Sequence, residues 1–532
     1  MDIGQQIVKE YEHHHNQAGP WLTYFEELAK YFLPMKNNVY GMRSKGEKRG
    51  DDLFDTTGIH ANELLASALH SMLTNPTTMW MWMSTGDFTL DSDDDVRRYI
   101  QDCVQAMHMV LNNSNFQTEV HEMFLDETAF GTGFLMMEED DEEVVRFTAR
   151  PIYEARIAEN RKGIVDKVYH CFKWTAEQIM EDKEWIKNIP EDIRYKMQHN
   201  PEEEWEIIHA VKPRPNGVSR EKARSLKKTK WAEYYVLRQQ GILLEETGRY
   251  FFPFKTPRWS KISGEVYGRS PAMKCLPEVK MLNEMRKNVI KADQLNLAPP
   301  MAVPDDGFVL PIQLKPYGFT FYRAGSQDKI EPLLQNIKLN VSMDQIKEAR
   351  DMVQRAFFID QLQLRDGPQM TATEVMQRTD ENLRLLSPSI GRHYPEFLKP
   401  VAEDLFDIMQ RKGMFPKAPA ILKGKQVNFT FASAIAKAQM STEVQKIQKA
   451  LNAVSGIMQV KPETLDYVNG DKLTKYVFNA LGVPQYVIND DKDVTQVREA
   501  RAQAQQQQMQ MTEEQHAAEV ANKAAPIMGQ IE

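Results

Sequence analysis

The sequence predicts a mainly α protein with a β-rich insertion, an α+β class. Three observations carry this. Apolar residues recur at three-to-four spacing over the first 130 residues and again from Pro271 onward. Between about 134 and 260 the pattern shifts to short strand-like runs separated by turn residues. The composition, 42% hydrophobic and 27% charged over 532 residues, is that of a folded chain long enough for several structural units.

Taken in order, residues 5–33 read as a helix carrying Tyr11, Trp21, Tyr24, Phe25, Leu28 and Phe32, stopped by Pro34. Lys36 to Asp52, with three glycines, is a loop. Asp55-Thr56-Thr57 caps a second helix bearing Ile59, Leu64, Leu65, Leu69 and Met72. Met79 to Met83 reads as a buried strand. The acidic run Asp91 to Asp95 opens a helix to about Asn112, acid in a first turn complementing the helix dipole. A further helix covers about 116–130 and breaks at Gly131-Thr132-Gly133.

In the β-rich block, Phe134–Met137, Val144–Phe147, Ile164–Phe172, Trp205–Lys212, Trp231–Arg238 and Gly241–Glu246 read as strands, with helix over 175–200. The acids Glu138 to Glu143 form the tip of the first hairpin. From Pro271 the chain is helical to Leu297, with Leu282, Met285, Val289 and Ala292 on one stripe. The segment 298–340 is Pro/Gly-broken, with small strands at Phe308–Leu310 and Phe319–Tyr322. A second helix runs from about Ser342 to Leu362 on Ile346, Ala349, Val353, Ala356 and Phe357. Arg365-Asp366-Gly367-Pro368 is a turn, Gly367 and Pro368 setting its backbone. Thr371 and Glu374 form a capping box that starts a helix to about Leu386, and another spans about 391–413. After Thr495 the sequence is Gln/Ala-rich, a solvated helix or a disordered tail.

Composition narrows the function. A net charge of −9 excludes a compact, strongly basic DNA reader but leaves room for a local basic surface. Cys103, Cys171 and Cys275 form no CxxC pair, so neither a zinc ribbon nor a disulfide framework is expected, and a reducing compartment fits. The opening Met1-Asp2-Ile3-Gly4-Gln5-Gln6 has no signal-peptide character. No run of ~18 apolar residues exists, so no membrane span is expected. The 29 methionines suit adaptable interfaces.

Motifs for chemistry are missing. Gly41-Met-Arg-Ser-Lys-Gly46 continues with Glu47 where a P-loop needs lysine. There is no GxGxxG, GxSxG or HExxH. His13-His14-His15 reads as a solvated face rather than a metal site. Asp91 to Asp95 lacks the glycine and distal glutamate of an EF-hand and reads as a helix cap. No catalytic, cofactor or metal residue is assigned.

What remains is an architecture. Two long amphipathic helices flank the compact insert 298–340, and a turn leads into a third helix. At 1.5 Å per residue each of the pair is roughly 30–38 Å long. Such a stalk buries little alone; many copies in a ring would bury one another's flanks.

Four ordered strings carry a resemblance: Trp21-Leu-Thr-Tyr-Phe-Glu-Glu-Leu-Ala-Lys-Tyr-Phe-Leu-Pro34; Leu53-Phe-Asp-Thr-Thr-Gly-Ile-His-Ala-Asn-Glu-Leu-Leu-Ala-Ser-Ala-Leu69 with Leu73-Thr-Asn-Pro76 and Trp80; Glu265-Val-Tyr-Gly-Arg-Ser-Pro271; and Met370-Thr-Ala-Thr-Glu-Val-Met376 leading to Glu381 and Leu385-Leu386. The chain resembles the portal proteins, or head-to-tail connectors, of short-tailed double-stranded-DNA bacteriophages, in order and spacing up to about residue 480.

The resemblance implies a ring, usually of twelve subunits, at one capsid vertex. Residues 1–270 would be the wing, with the β-rich block about 134–260 outermost. Residues 271–297 and 341–363 would be the stem helices, 298–340 the clip, and 364–370 the tunnel loop. Residues 371–432 would supply the long wing helix and the helices after it, 433–490 a crown, and 491–532 a Gln-rich tail or short barrel. It implies DNA passage driven by a separate terminase. Its partners would be the terminase large subunit, major capsid and scaffold proteins, a tail adaptor, internal core proteins and non-specific duplex DNA. Location would be the virion, after assembly in the host cytoplasm. Twelve copies at −9 would carry a formal charge of about −108, repelling and centring the duplex, with a few basic rings touching it transiently. Arg365 in the tunnel turn is the first candidate for such a ring, with Asp366 and Gln369 beside it. Lys287 and Lys291, one turn apart and opposite the apolar stripe, are the second. Two other classes remain: a tail adaptor or scaffold, and a nuclease using Asp91 to Asp95 with a divalent metal.

Overall fold

The structure is a computed structural model that describes residues 2–40, 46–77, 79–87, 90, 93–215, 217, 225–298, 301–302, 331–332, 340–362, 388, 390–422, 428–430, 444, 446–454, 468–481, 489 and 491–528. In chain order its elements are α1 (Ile3–Phe32), α2 (Thr57–Leu73), β1 (Trp82–Ser84), α3 (Asp94–Asn113), α4 (Phe116–Phe130), β2 (Leu135–Glu139), β3 (Val145–Ala149), β4 (Ala155–Glu159), β5 (Val165–Thr175), α5 (Ala176–Glu181), α6 (Lys183–Asn188), α7 (Glu191–His199), β6 (Glu204–Pro213), β7 (Trp231–Leu237), β8 (Ile242–Arg249) and β9 (Phe254–Lys255). There follow α8 (Pro271–Leu297), β10 (Met301–Ala302), β11 (Glu331–Pro332), α9 (Asn340–Ala356), α10 (Ile359–Leu362), α11 (Lys399–Arg411), β12 (Asn428–Thr430), α12 (Gly470–Leu481) and α13 (Asp491–Met528). Two compact units form: Met1–Thr78 with Val110–Ile408, and Met79–Met109 with Met409–Glu532.

The first unit is built on an antiparallel meander, β4-β5-β6-β7-β8. Strand periodicity sends neighbours to opposite faces. Ile208, Ala210 and Val236 meet Ile7 and Tyr11 of α1. Ile207, Leu237 and Leu244 meet Ile179, Trp185 and Ile193 of the α5–α7 helices. The sheet is therefore covered on both sides, by a helix laid down before the block and by helices inserted within it. A smaller sheet, β3-β2-β9, carries the acidic hairpin, Leu135 pairing with Ala149.

Charges cross these layers in buried pairs. His209 Nε2 lies 2.8 Å from Glu233, and Arg249 bridges Glu233 to Glu138, each at 2.8 Å. Burial alone would raise the Glu233 pKa. The hydrogen bond and charge of His209 and the charge of Arg249 outweigh it and bring it to about 2. His393 and Glu127, both fully buried, pair at 2.9 Å. Arg258, almost wholly buried, holds Glu396 at 2.7 Å and also Glu159. His393 and Glu396 reach these partners from a π-helical stretch, Tyr394–Leu398, and the residue before it, whose wider turn re-aims side chains.

The junction between the β-rich block and α8 is a backbone contact. Gly131 takes a left-handed conformation, φ 82°, at the end of α4. A methyl at Gly268 would collide with the Gly131 carbonyl, and one at Gly131 with the Gly268 carbonyl. Trp259 N donates to Gly131 O at 3.0 Å, Gly133 N to Pro257 O at 2.8 Å and Gly268 N to Thr132 Oγ1 at 2.8 Å. The Gly131-Thr-Gly133 string thus works as a splice between two strands of backbone.

In the second unit β1 pairs antiparallel with β12, Trp82 opposite Thr430. Asp93 Oδ1 accepts from Asp95 N and Val96 N, each at 3.1 Å, and so caps α3. The Gln-rich tail is helical over Asp491–Met528, and Arg498 ties it to Asp471 of α12 at 2.9 Å.

Four expectations change. The strand expected over Met79–Met83 is Trp82–Ser84, because Trp80 and Met81 are buried ahead of the ladder rather than paired in it. Glu138 and Glu139 belong to β2, so the hairpin tip starts at Asp140, whose carboxylate accepts from Glu142 N and Glu143 N at 2.7 Å each. The second long helix stops at Ala356. Phe357 is fully buried against Phe32, ring centroids 5.7 Å apart, and Phe358 turns to φ 59° before α10 resumes. Five strands, β4, β9, β10, β11 and β12, had no alternating pattern to reveal them. The small strands of 308–322 and the helix from Thr371 lie outside the described residues.

Gly268→Ala should destabilise by about 1–3 kcal/mol or more, read as a fall in Tm, since neither backbone can retreat without losing its hydrogen bonds. Glu233 predicts a pH dependence. Its folded pKa lies below the ordinary 4.5, so its contribution is full above that value and fades as pH falls toward about 2. The stability lost over that window should be on the order of 2–3 kcal/mol, and Glu233→Gln should flatten it.

Candidate functional site

The candidate site is the long helix pair and what anchors it. α8 starts where Ser270 Oγ accepts from Met273 N at 3.0 Å and donates to Ala129 O at 2.8 Å. Pro271 sits at N1, where no amide is needed. Tyr24 Oη donates to Met273 O at 3.1 Å. Arg269 pairs with Glu265 at 2.5 Å and stacks over the Trp21 ring, 4.5 Å from its centroid. The strings Trp21–Pro34 and Glu265–Pro271 are therefore two halves of one clamp on the root of α8.

Amphipathic α8 and α9 pack along Leu282, Val289, Ile346 and Ala349, with Met285 at the edge. Past α8 the chain forms an antiparallel pair, Met301 opposite Pro332 and Ala302 opposite Glu331, before returning to α9. Residues 301–302 and 331–332, near the two ends of the insert, are thus paired with each other.

A strap, Asp52 to Asp55, binds both helices. Asn283 of α8 accepts from Phe54 N at 2.7 Å and donates to Asp52 O at 2.9 Å. Asp55 accepts from Arg350 of α9 at 2.6 Å and from Thr57 N at 2.9 Å. Burial would raise the Asp55 pKa, but the bonds from Thr57 and Arg350 outweigh it and hold the carboxyl below its usual range. Asp55, one residue earlier than the geometric cap Thr56, thus supplies the capping oxygen for α2.

Of the expected channel residues, Lys287 is half-buried. Its Nζ lies 3.5 Å from Glu284 and 5.7 Å from the Phe54 ring centroid, so it also rests on the strap. Lys291 is exposed one turn further along. Arg365, Asp366, Gly367, Pro368 and Gln369 lie outside the described residues. The residues that sequence reasoning missed are Asn283, Arg350 and Arg258. Each is a single polar residue in an amphipathic or turn-like context, and no spacing marks it.

The discarded motifs have structural work. His15 Nδ1 accepts from Arg156 at 2.9 Å, and His14 packs on Tyr169. Asp93 caps α3, and Asp94 pairs with Arg97. Among the described residues no three His, Cys, Asp or Glu side chains are grouped to hold a metal. The three cysteines are free.

Asn283→Ala should lower stability by about 1–3 kcal/mol by orphaning the strap's backbone groups. Limited proteolysis should then cut faster between residues 46 and 54, whereas Lys287→Ala should leave that rate nearly unchanged.

Comparison with known proteins fits this anatomy. A family model described as bacteriophage head to tail connecting protein matches residues 4–488. The chain is 27% identical over 493 residues to a probable portal protein of Bordetella phage BPP-1, covering 91% of this chain and 88% of the relative. It is 26% identical over 528 residues to the portal protein of Salmonella phage epsilon15, covering 97% and 94%. The match runs from α1 through the clamp, the strap and both long helices, and the chain belongs to the bacteriophage head-to-tail connecting protein family.

Proposed function

We propose that this connector is the portal of a short-tailed phage: a ring, of twelve copies by analogy, at one capsid vertex, through which duplex DNA enters and later leaves. The observation that carries the reading is the clamped and strapped pair α8–α9 within a chain that matches portal proteins over nearly its whole length. In this reading residues 1–270 are the wing, 271–297 and 341–363 the stem, 298–340 the clip and 364–370 the tunnel loop. Residues 371–432 complete the wing, 433–490 form the crown and 491–532 the tail. The pairing of β10 with β11 supports a clip whose two ends meet beside the stem. Met281, Met343 and Met352, all exposed on the helix pair, supply adaptable apolar flanks for neighbouring copies.

The chemistry is mechanical and electrostatic, with no catalytic residue and no cofactor assigned. An acidic ring repels the duplex from its walls, and sparse cations touch phosphates without holding them. Arg365 in the tunnel turn and Lys291 on the exposed side of α8 supply those cations, flanked by Asp366 and Gln369. Lys287, drawn toward Glu284 and Phe54, is the weaker of the two stem lysines as a phosphate contact. The partners are the terminase that drives packaging, capsid and scaffold proteins, internal core proteins and a tail adaptor. Assembly takes place in the host cytoplasm and the product resides in the virion.

End-on electron-microscope class averages of the purified chain test the ring directly. The expected result is closed rotational symmetry near twelve around a pore that passes B-form DNA. A monomer that persists with scaffold protein added would overturn it. Arg365→Ala should leave ring assembly intact and change the DNA content of filled heads. Unchanged content and infectivity would remove Arg365 from the channel.

A further inference from the structure

The acidic balance of the chain conceals one concentrated reversal. Between Lys212 and Lys230 stand eight basic residues, Lys212, Arg214, Arg220, Lys222, Arg224, Lys227, Lys228 and Lys230, against one acid, Glu221. This stretch connects β6 to β7 at one end of the five-stranded sheet, well separated in sequence from both stem helices and the tunnel turn.

The described residues show how that end is built. Arg214 N bonds to Lys230 O at 2.8 Å, closing the base of the connection. Thr229, fully buried, donates to Leu226 O at 2.6 Å and to Trp231 O at 3.2 Å. The turn Leu226–Lys228 lies directly on β8, so closely that a methyl at Gly248 would strike Leu226 O. Lys228 and Lys230, both exposed, are thus carried on ordered backbone.

Among the described residues, the acids nearest this end are already used. Glu10 pairs with Lys212 at 2.8 Å, and Glu246 with Arg214 at 2.9 Å. Glu233 and Glu138 are consumed by Arg249, opposite Trp231 on the neighbouring strand. Among the described residues no acid pairs with Lys228 or Lys230. Lys230 Nζ stands 4.6 Å above the Trp231 ring, whose centroid lies 4.8 Å from that of Phe252.

We propose that this end of the sheet, centred on Lys228 and Lys230, is a second polyanion site, separate from the channel, that binds the phosphate backbone of duplex DNA without reading sequence. Exposed lysines are poor protein-interface material, since interface cores are depleted of lysine and built on apolar anchors. They suit phosphate neutralisation, where affinity comes from counterion release. Single strands are disfavoured because Trp231, the ring beside Lys230, is covered by Lys230 and Phe252 and offers no stacking platform.

The test uses the full chain and a relaxed closed-circular duplex, which has no end to thread through a ring, and measures affinity against salt. Native protein should bind the circle. Lys228→Ala with Lys230→Ala should weaken binding and lower the salt slope by about two per engaged subunit, with Tm unchanged. Lys228→Arg with Lys230→Arg should retain binding, because the charge is kept. No binding of the circle, or equal binding by the alanine variant, would overturn the proposal while leaving the portal reading untouched. Poly-glutamate competing as strongly as duplex would also overturn it, in favour of an acidic protein partner.

Discussion

Two backbones touch at Gly131 and Gly268, with no side chain between them. The contact closes a loop of chain that contains the whole β-rich block: the chain leaves the helical layer after α4, folds two sheets, and returns within hydrogen-bonding distance of its exit. Thr132 and Ser270 complete the splice from either side, one receiving Gly268 N and the other gripping Ala129 O. The first turn of α8 is thereby set by the end of α4.

The helix pair needs such a root because it is thinly buried. Its seam is a few aliphatic side chains, and amphipathic helices of this kind draw most of their stability from a covered face rather than from propensity. Asn283 and Arg350 supplement it by seizing one short strap from two sides. Hydrogen bonds at its base thus hold the pair where apolar burial is sparse.

The β-rich block and the helices against it solve a different problem, with buried ion pairs: Arg258 with Glu396 and Glu159, His393 with Glu127, and Arg249 with Glu233 and Glu138. Buried pairs cost desolvation, and their clearest return is specificity of packing, since removing one partner strands the other. Two of them join the π-helical stretch around Tyr394 to Arg258, 138 residues earlier, and to Glu127 of α4, 266 residues earlier. At the β6–β7 end of the sheet Glu10, Glu246 and Glu233 are likewise taken up by Lys212, Arg214 and Arg249, and among the described residues no acid pairs with Lys228 or Lys230.

The sequence by itself determined the class, the order of elements and the family. Helical and strand periodicities are local properties of side-chain spacing, so α1, α4, the β5–β8 strands and the start of α8 stood where their apolar patterns placed them. The family followed from whole ordered strings, which need no geometry. Tertiary structure alone decided why those strings exist. Trp21 and Arg269 stack across the clamp, and Asn283 reaches a strap 230 residues away, because packing and not spacing brings them together. It also decided the exceptions. The second long helix breaks at Phe357 because a fully buried ring against Phe32 outweighs continued helix, and β4 and β9 form because neighbouring strands offered open edges, a reason no local pattern records.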